Sequence, residues 1–135
     1  MLKEYLYGKV CFRSENYIAT PLKEQFDTIT CLSTVKWVHL NFGDTGIKAL
    51  FLKVYESLSP GGLFVLEPQP WKSYKKKKHL TPTIRENYKT ICLKPSFFLD
   101  YLVNHVGFKH LWTQSPLKTN KGFDRPIMLL QKPDN

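Results

Sequence analysis

The chain has 135 residues, of which 42% are hydrophobic and 14% aromatic, with a formal net charge of +9. That length suits one domain rather than two, and the apolar content excludes wholesale disorder. No stretch approaches the roughly 18 apolar residues of a membrane span, and Met1 to Val10 lacks a secretory pattern, so a soluble intracellular chain is expected.

The first element is weak: Val10-Cys-Phe-Arg13 has the composition of a short strand before a polar Ser-Glu-Asn segment. Phe26 to Ser33 is an apolar, β-branched run that predicts a buried strand. Thr34 to Asn41 follows, and Asp44 is placed to cap a helix. Ile47, Leu50, Phe51, Val54, Tyr55 and Leu58 then recur at helical spacing. Ser59-Pro-Gly-Gly62 stops that helix, and Leu63 to Glu67 predicts a second buried strand. Strand, helix and strand in this order make a βαβ unit with a parallel sheet.

Pro68-Gln-Pro-Trp71 predicts irregular backbone, followed by an exposed run from Lys75 to Lys78. Thr81-Pro82 opens a short helix covering Ile84 to Tyr88. Another helix spans about Pro95 to Asn104. Strands near Phe108 to Thr113 and Pro126 to Gln131, joined by the loop Ser115 to Arg125, predict an antiparallel pair ending an otherwise parallel sheet.

Ligands of such sheets sit at the carboxyl ends of the strands, which here are Asn16-Tyr17, Leu32-Ser33 and Glu67 to Trp71. Phosphate-binding and hydrolase motifs are not found: there is no G-x-x-x-x-G-K, no G-x-G-x-x-G and no G-x-S-x-G. His39, His79, His105 and His110 show no metal-ligand spacing, and Cys11, Cys31 and Cys92 form no C-x-x-C, so no metal site is expected. Cys31 reads as a small buried hydrophobe. Ser33 and His39 give no reason to touch as a hydrolytic pair.

The charge is unevenly placed. Residues 1–67 carry seven Lys/Arg and seven Asp/Glu, whereas residues 68–135 carry thirteen against four. Lys72 and Lys75 to Lys78 flank Trp71 and Tyr74, while Lys118, Lys121 and Arg125 flank Phe123. Cations interleaved with aromatics suit a single-stranded RNA or an RNA end, because bases stack while phosphates are neutralised. The alternative for the lysine run is a solvated face. No amphipathic basic helix of the membrane-surface kind is present, so no membrane partner is expected.

Three segments together carry a family resemblance. They are Cys31-Leu-Ser-Thr-Val-Lys-Trp-Val-His-Leu-Asn-Phe-Gly-Asp44, Pro60-Gly-Gly-Leu-Phe-Val-Leu-Glu-Pro-Gln-Pro-Trp-Lys-Ser-Tyr74 and Lys121-Gly-Phe-Asp-Arg-Pro126. In this order they resemble the Bicoid-interacting family of RNA methyltransferases, whose best known members are methylphosphate capping enzymes of small nuclear RNA. The likeness runs from about Val10 to Lys132.

The resemblance implies a Rossmann-like class I methyltransferase fold and S-adenosylmethionine as methyl donor. The implied acceptor is a terminal phosphate at the 5′ end of a small RNA, the γ-phosphate in capping members and a monophosphate in a sister branch. Asn16, Tyr17 and Leu32 match the family's cofactor contacts. Lys121, Phe123 and Arg125 match the segment that closes over the RNA end, and Lys36, Gln69 and Trp71 lie in motifs lining the cleft. A nuclear location, with the cytoplasm as alternative, and ribonucleoprotein partners are further implications.

One departure stands beside the likeness. The family opens its fold with a strand, a glycine-rich loop and an acidic residue for the cofactor ribose, and none is found in this sequence. Residues 1–135 are therefore expected to form the C-terminal portion of a single methyltransferase domain, incomplete at its N-terminus, with sheet edge left exposed. The alternative to an active enzyme is a non-catalytic RNA-binding remnant without a complete cofactor site.

Overall fold

The computed structural model describes residues 10–22, 24–115 and 125–134. Four strands form one sheet: β1 (Phe26–Leu32), β2 (Leu58–Glu67), β3 (Lys109–Gln114) and β4 (Ile127–Gln131), in spatial order β1-β2-β4-β3. β1 and β2 run parallel, and both β2–β4 and β3–β4 are antiparallel. The expected parallel βαβ unit and closing antiparallel pair are both present.

The crossover from β1 to β2 is a long helix, α1 (Val35–Ser57). It begins about twelve residues before the predicted Ile47, because Val35, His39 and Leu40 extend its buried face. Gly43 breaks it with φ 70° and ψ −166°, a conformation that side-chain-bearing residues rarely adopt. Asp44 does not cap the second half of the helix as expected, since its carboxylate is engaged elsewhere. Ser59 to Gly62 also differs from a plain turn. It lies within β2 as an irregular stretch, with Gly61 at φ 80°, paired to Lys132 through backbone hydrogen bonds.

A five-residue helix, α2 (Trp71–Lys75), occupies what the prolines predict to be irregular chain. Pro70 is compatible with it because a proline before the first turn costs no helical hydrogen bond. The next helix, α3 (Pro82–Thr90), opens as expected, with Thr81 Oγ1 accepting from Ile84 N–H at 3.1 Å. A 3₁₀ turn at Pro95–Phe97, a short helix α4 (Phe98–Tyr101) and a wide π turn (Leu102–Val106) complete the helical part. Gly107, at φ 110°, ends it. Val10 to Arg13 forms no strand; it is exposed, and Arg13 pairs with Glu24.

The main core lies on one face of the sheet. Phe64 and Leu66 of β2 and Met128 and Leu130 of β4 meet Val35, Ile47, Phe51 and Val54 of α1, with Phe98 and Leu102 behind them. Phe51 is its centre, edge-on to Phe98 at 5.2 Å and to Phe64 at 6.4 Å. Burial of each such side chain contributes about 1.5–3 kcal/mol. A second cluster of Leu40, Tyr74, Ile84 and Ile91 fastens α2 and α3 to the first half of α1.

The opposite face is different. Registered neighbours Thr30, Val65, Leu129 and Trp112 form a row across all four strands, and none of the four joins the core. β1 is the edge strand at one side of this sheet, so most of its residues are exposed, contrary to the expectation of a fully buried strand. Its inward residues Ile29 and Cys31 still pack against the core. Burial pushes the Cys31 thiol up to about 11, in keeping with an inert, hydrophobic role. No helix among the described residues is long and apolar enough to cross a membrane.

Candidate functional site: a cationic cleft at the strand ends

The carboxyl ends of β1 and β2 place Ser33 and Glu67 side by side. Ser33 follows the last residue of β1 and has φ 55°, the only positive φ at a non-glycine position among the described residues. Its hydroxyl donates to Glu67 Oε1 at 2.6 Å. Arg125, which leads into β4, donates from Nη1 to Ser33 Oγ at 2.7 Å and reaches Glu67 Oε1 at 3.4 Å. Three segments far apart in sequence thus converge on one point.

The first turn of α1 supplies the next member. Lys36 is only 6% exposed, and its Nζ donates to Ser73 Oγ at 2.9 Å while lying 4.7 Å over the Trp37 ring. Among the described residues no carboxylate pairs with it. Burial lowers its pKa from the usual lysine value, and the positive charges of Arg125, Lys77 and Lys76 push the same way. A largely buried lysine near other cations raises the local positive potential, which favours anions.

Gln69, placed in the cleft lining by motif likeness, lies beside Lys36. It is 1% exposed, and its Oε1 accepts the Lys36 backbone N–H at 3.2 Å, satisfying an orphan donor of the helix start. Gln69 therefore fixes the backbone that carries Lys36. Trp71 likewise offers no open stacking face on the side where its ring lies on Tyr88, 4.8 Å away and 9° from parallel. Lys94 Nζ sits 4.9 Å from the same ring. Packing of α3 beside α2 brings Tyr88 there, which the sequence spacing did not reveal.

Below the cleft, His39 Nδ1 lies 2.9 Å from Tyr74 Oη, and His39 Nε2 lies 2.8 Å from Asp44 Oδ1. Asp44 Oδ2 accepts from the N–H groups of Cys92 and Leu93. The network ties α1, α2 and the segment after α3 together. Ser33 and His39 are bonded to separate partners, so they form no hydrolytic pair. Lys75, Lys76 and Lys77 are exposed as expected, whereas Lys78 is half-buried with Nζ 5.7 Å over the Tyr88 ring.

Of the residues matched to cofactor contacts, Asn16 and Tyr17 line one groove and Leu32 does not. Leu32 stands half-exposed at the tip of β1. Tyr17 instead donates to Lys53 C=O at 3.3 Å and bonds Ser57 Oγ, at the far end of α1 from Lys36. Asn16 Oδ1 accepts from Ile18 N–H within its own turn. An apolar groove of about 450 Å³ runs along β1 past Asn16, Tyr17, Cys31 and Val38. Lys121 and Phe123 lie outside the described residues. No cluster of three potential metal ligands occurs among the described residues. Ser33, Glu67 and Ser73 were not singled out by sequence. Only the position of the first two at adjacent strand ends hinted at them.

Comparison with solved structures defines the class of fold. The chain superposes on an S-adenosylmethionine-dependent methyltransferase from Clostridium acetobutylicum with TM-score 0.62 and 15% identity, covering 97% of this chain and 69% of that one. The fold is thus the Rossmann-like α/β fold of that class. Residues 26–132 match the profile of the Bicoid-interacting protein 3 (Bin3) family, and the chain belongs to it. The human 7SK snRNA methylphosphate capping enzyme is 51% identical over 110 residues, 80% of this chain and 16% of that protein. An Arabidopsis thaliana protein named "Probable RNA methyltransferase" is 46% identical over 127 residues, 91% of this chain and 40% of that protein. The chain thus spans well under half the length of these relatives.

Proposed function

We propose that this chain forms the phosphate-binding side of an RNA methyltransferase site whose acceptor is the 5′-terminal phosphate of a small RNA, the γ-phosphate of a triphosphate end. The observation that carries the proposal is Lys36: a buried ammonium without a carboxylate partner among the described residues, beside Arg125 and near Lys76 and Lys77. Membership of a family that includes a methylphosphate capping enzyme supports the choice of acceptor.

The chemistry asks little more of the protein. A terminal phosphate oxygen is already anionic, so its attack on a methyl group needs no strong general base. Alignment and charge stabilisation supply the rate. Lys36 would hold the phosphate as a point charge, Arg125 would add directional donors, and Lys75 to Lys77 would attract the following backbone phosphates. Lys121 and Phe123 belong to the proposed closing segment by family likeness.

S-adenosylmethionine is the methyl donor the proposal includes, and when bound it supplies an electrophilic methyl group. Asn16, Tyr17 and Leu32 remain its proposed contacts. Asn16 and Tyr17 line one apolar groove beside β1, with Leu32 at the tip of that strand. A second reading is an RNA-end-binding unit without catalysis, supported by the bonds that hold Tyr17 Oη at the opposite end of α1 from Lys36. A nuclear, ribonucleoprotein setting accompanies the small-RNA proposal.

Calorimetric titration of the chain with a 5′-triphosphate oligoribonucleotide and its 5′-hydroxyl twin tests the proposal. The triphosphate form should bind at least about tenfold tighter, and Lys36→Gln should abolish most of that preference. Equal affinity for the two ends would sink it. Labelled-methyl transfer from S-adenosylmethionine to the triphosphate RNA then separates the readings: transfer supports catalysis, and tight end-binding without transfer supports the binding unit.

A further inference from the structure

Glu67 presents a physical puzzle within a cleft that is otherwise cationic. It is 4% exposed and lies at the end of β2, beside the very side chains argued to hold a phosphate. By Coulomb's law a negative charge in that place opposes binding of an anion. Its contacts show what it does instead. Glu67 Oε1 receives the Ser33 hydroxyl at 2.6 Å and Arg125 Nη1 at 3.4 Å, and Ser33 Oγ receives Arg125 Nη1 at 2.7 Å.

Ser33 is held at φ 55°, a left-handed conformation that is strained for a residue with a side chain. That backbone directs its hydroxyl between the carboxylate and the guanidinium. A free arginine side chain loses rotamer entropy on seizing a ligand. Two acceptors on one Nη fix the side chain beforehand.

We infer that Glu67 and Ser33 are positioning residues that aim the Arg125 guanidinium at the 5′-terminal phosphate, a role that rests on the phosphate reading above. Neither residue touches the phosphate. Glu67 acts against its own charge, weakening the field of the cleft while ordering the donor that gives the cleft direction. The clamp also couples β1, β2 and β4 at their cleft ends, so the site is assembled only when all three strands are in register.

The two roles of Glu67 predict opposite signs. Glu67→Gln removes a negative charge; if charge alone matters, binding of a 5′-triphosphate end tightens. If the clamp matters, the ratio of 5′-triphosphate to 5′-hydroxyl affinity falls by about tenfold, an amount typical of a lost charge-assisted contact. The decisive measurement is that ratio, by calorimetry, for the wild type, Glu67→Gln, Arg125→Gln and the double variant. Acting through Arg125, Glu67→Gln should lower the ratio in the wild type and leave it unchanged in the Arg125→Gln background.

An unchanged or increased ratio in Glu67→Gln overturns the inference, as does an equal loss in both backgrounds, which would mark a merely structural role. Ser33→Gly keeps the left-handed backbone without strain and deletes the hydroxymethyl side chain, removing the clamp's hydroxyl. It should lower the ratio as well, and it carries the test if Glu67→Gln does not fold; an unchanged ratio there overturns the clamp. A wild type that shows no preference for the phosphorylated end overturns the phosphate reading itself, and the clamp falls with it.

Discussion

His39 Nε2 lies 2.8 Å from Asp44 Oδ1 across the break in α1, joining the two halves of the helix through their side chains. Burial lowers the His39 pKa below its usual value, outweighing the opposing pull of Asp44. For Asp44, burial alone would raise the carboxyl. The hydrogen bonds from His39 and from the N–H groups of Cys92 and Leu93 together hold it below the ordinary range.

Both groups make the fold sensitive to acid. A histidine whose folded pKa is depressed binds fewer protons in the folded state. Its contribution is therefore complete above the unfolded value near 6.5 and declines as pH falls below it. The depressed Asp44 contributes above about 3.8 and is lost at lower pH. Urea midpoints measured between pH 8 and pH 4 should fall steadily below about 6.5. A flat midpoint down to pH 5 would contradict the assignment. Asp44→Ala, which strands the Cys92 and Leu93 donors, should cost about 1–3 kcal/mol at neutral pH.

Gly43 gives a second prediction. A Cβ built there would meet only Asn87 Oδ1 at 3.8 Å, so the site has room for a methyl group. Its φ of 70° with ψ of −166° is nonetheless a conformation reserved for glycine. Gly43→Ala should therefore destabilise by about 1–3 kcal/mol through the backbone alone. Thermal melts of the variant read the loss; a melt matching the wild type would show that the break in α1 adjusts freely.

Much of this organisation is legible in the sequence because it rests on local signals. Ile47, Leu50, Phe51 and Val54 announce α1 by period, and Thr81-Pro82 announces α3 by capping chemistry. The early start of α1 was hidden, since Gly43 and Asp44 look like a boundary and instead mark a break within the helix. The candidate site was readable only in part. Lys36 and Arg125 came from motif likeness, while Glu67, Ser33 and Ser73 enter through contacts spanning 34 to 92 residues that no local pattern encodes. The stacking of Trp71 on Tyr88 is hidden for the same reason, because Tyr88 arrives from another helix.

The lysines after α2 separate general from end-specific RNA binding. Lys76 and Lys77 are exposed and close enough to Lys36 to bear on its charge. Each phosphate neutralised on a single strand contributes about 0.7 to the slope of log K against log salt. The Lys76→Gln, Lys77→Gln pair should reduce that slope by up to about 1.4 for 5′-triphosphate and 5′-hydroxyl RNA alike. Lys36→Gln should act chiefly on the triphosphate form. If the double variant instead erases only the end preference, these lysines belong to the phosphate pocket and not to the path of the strand.

The uncovered sheet face supplies the last expectation. Trp112 is 51% exposed, and it ends the row through Leu129, Val65 and Thr30 on the face opposite the core. Apolar surface of this kind, on a sheet whose β1 edge is paired by none of the described residues, promotes association between chains. Trp112→Lys should interrupt the row at its most exposed apolar member while touching none of the core contacts around Phe51. The wild type should therefore show a sedimentation coefficient that rises with concentration, and the variant should remain monomeric with an unchanged urea midpoint. A concentration-independent wild type would mean that the row is too short or too divided by Thr30 to drive association.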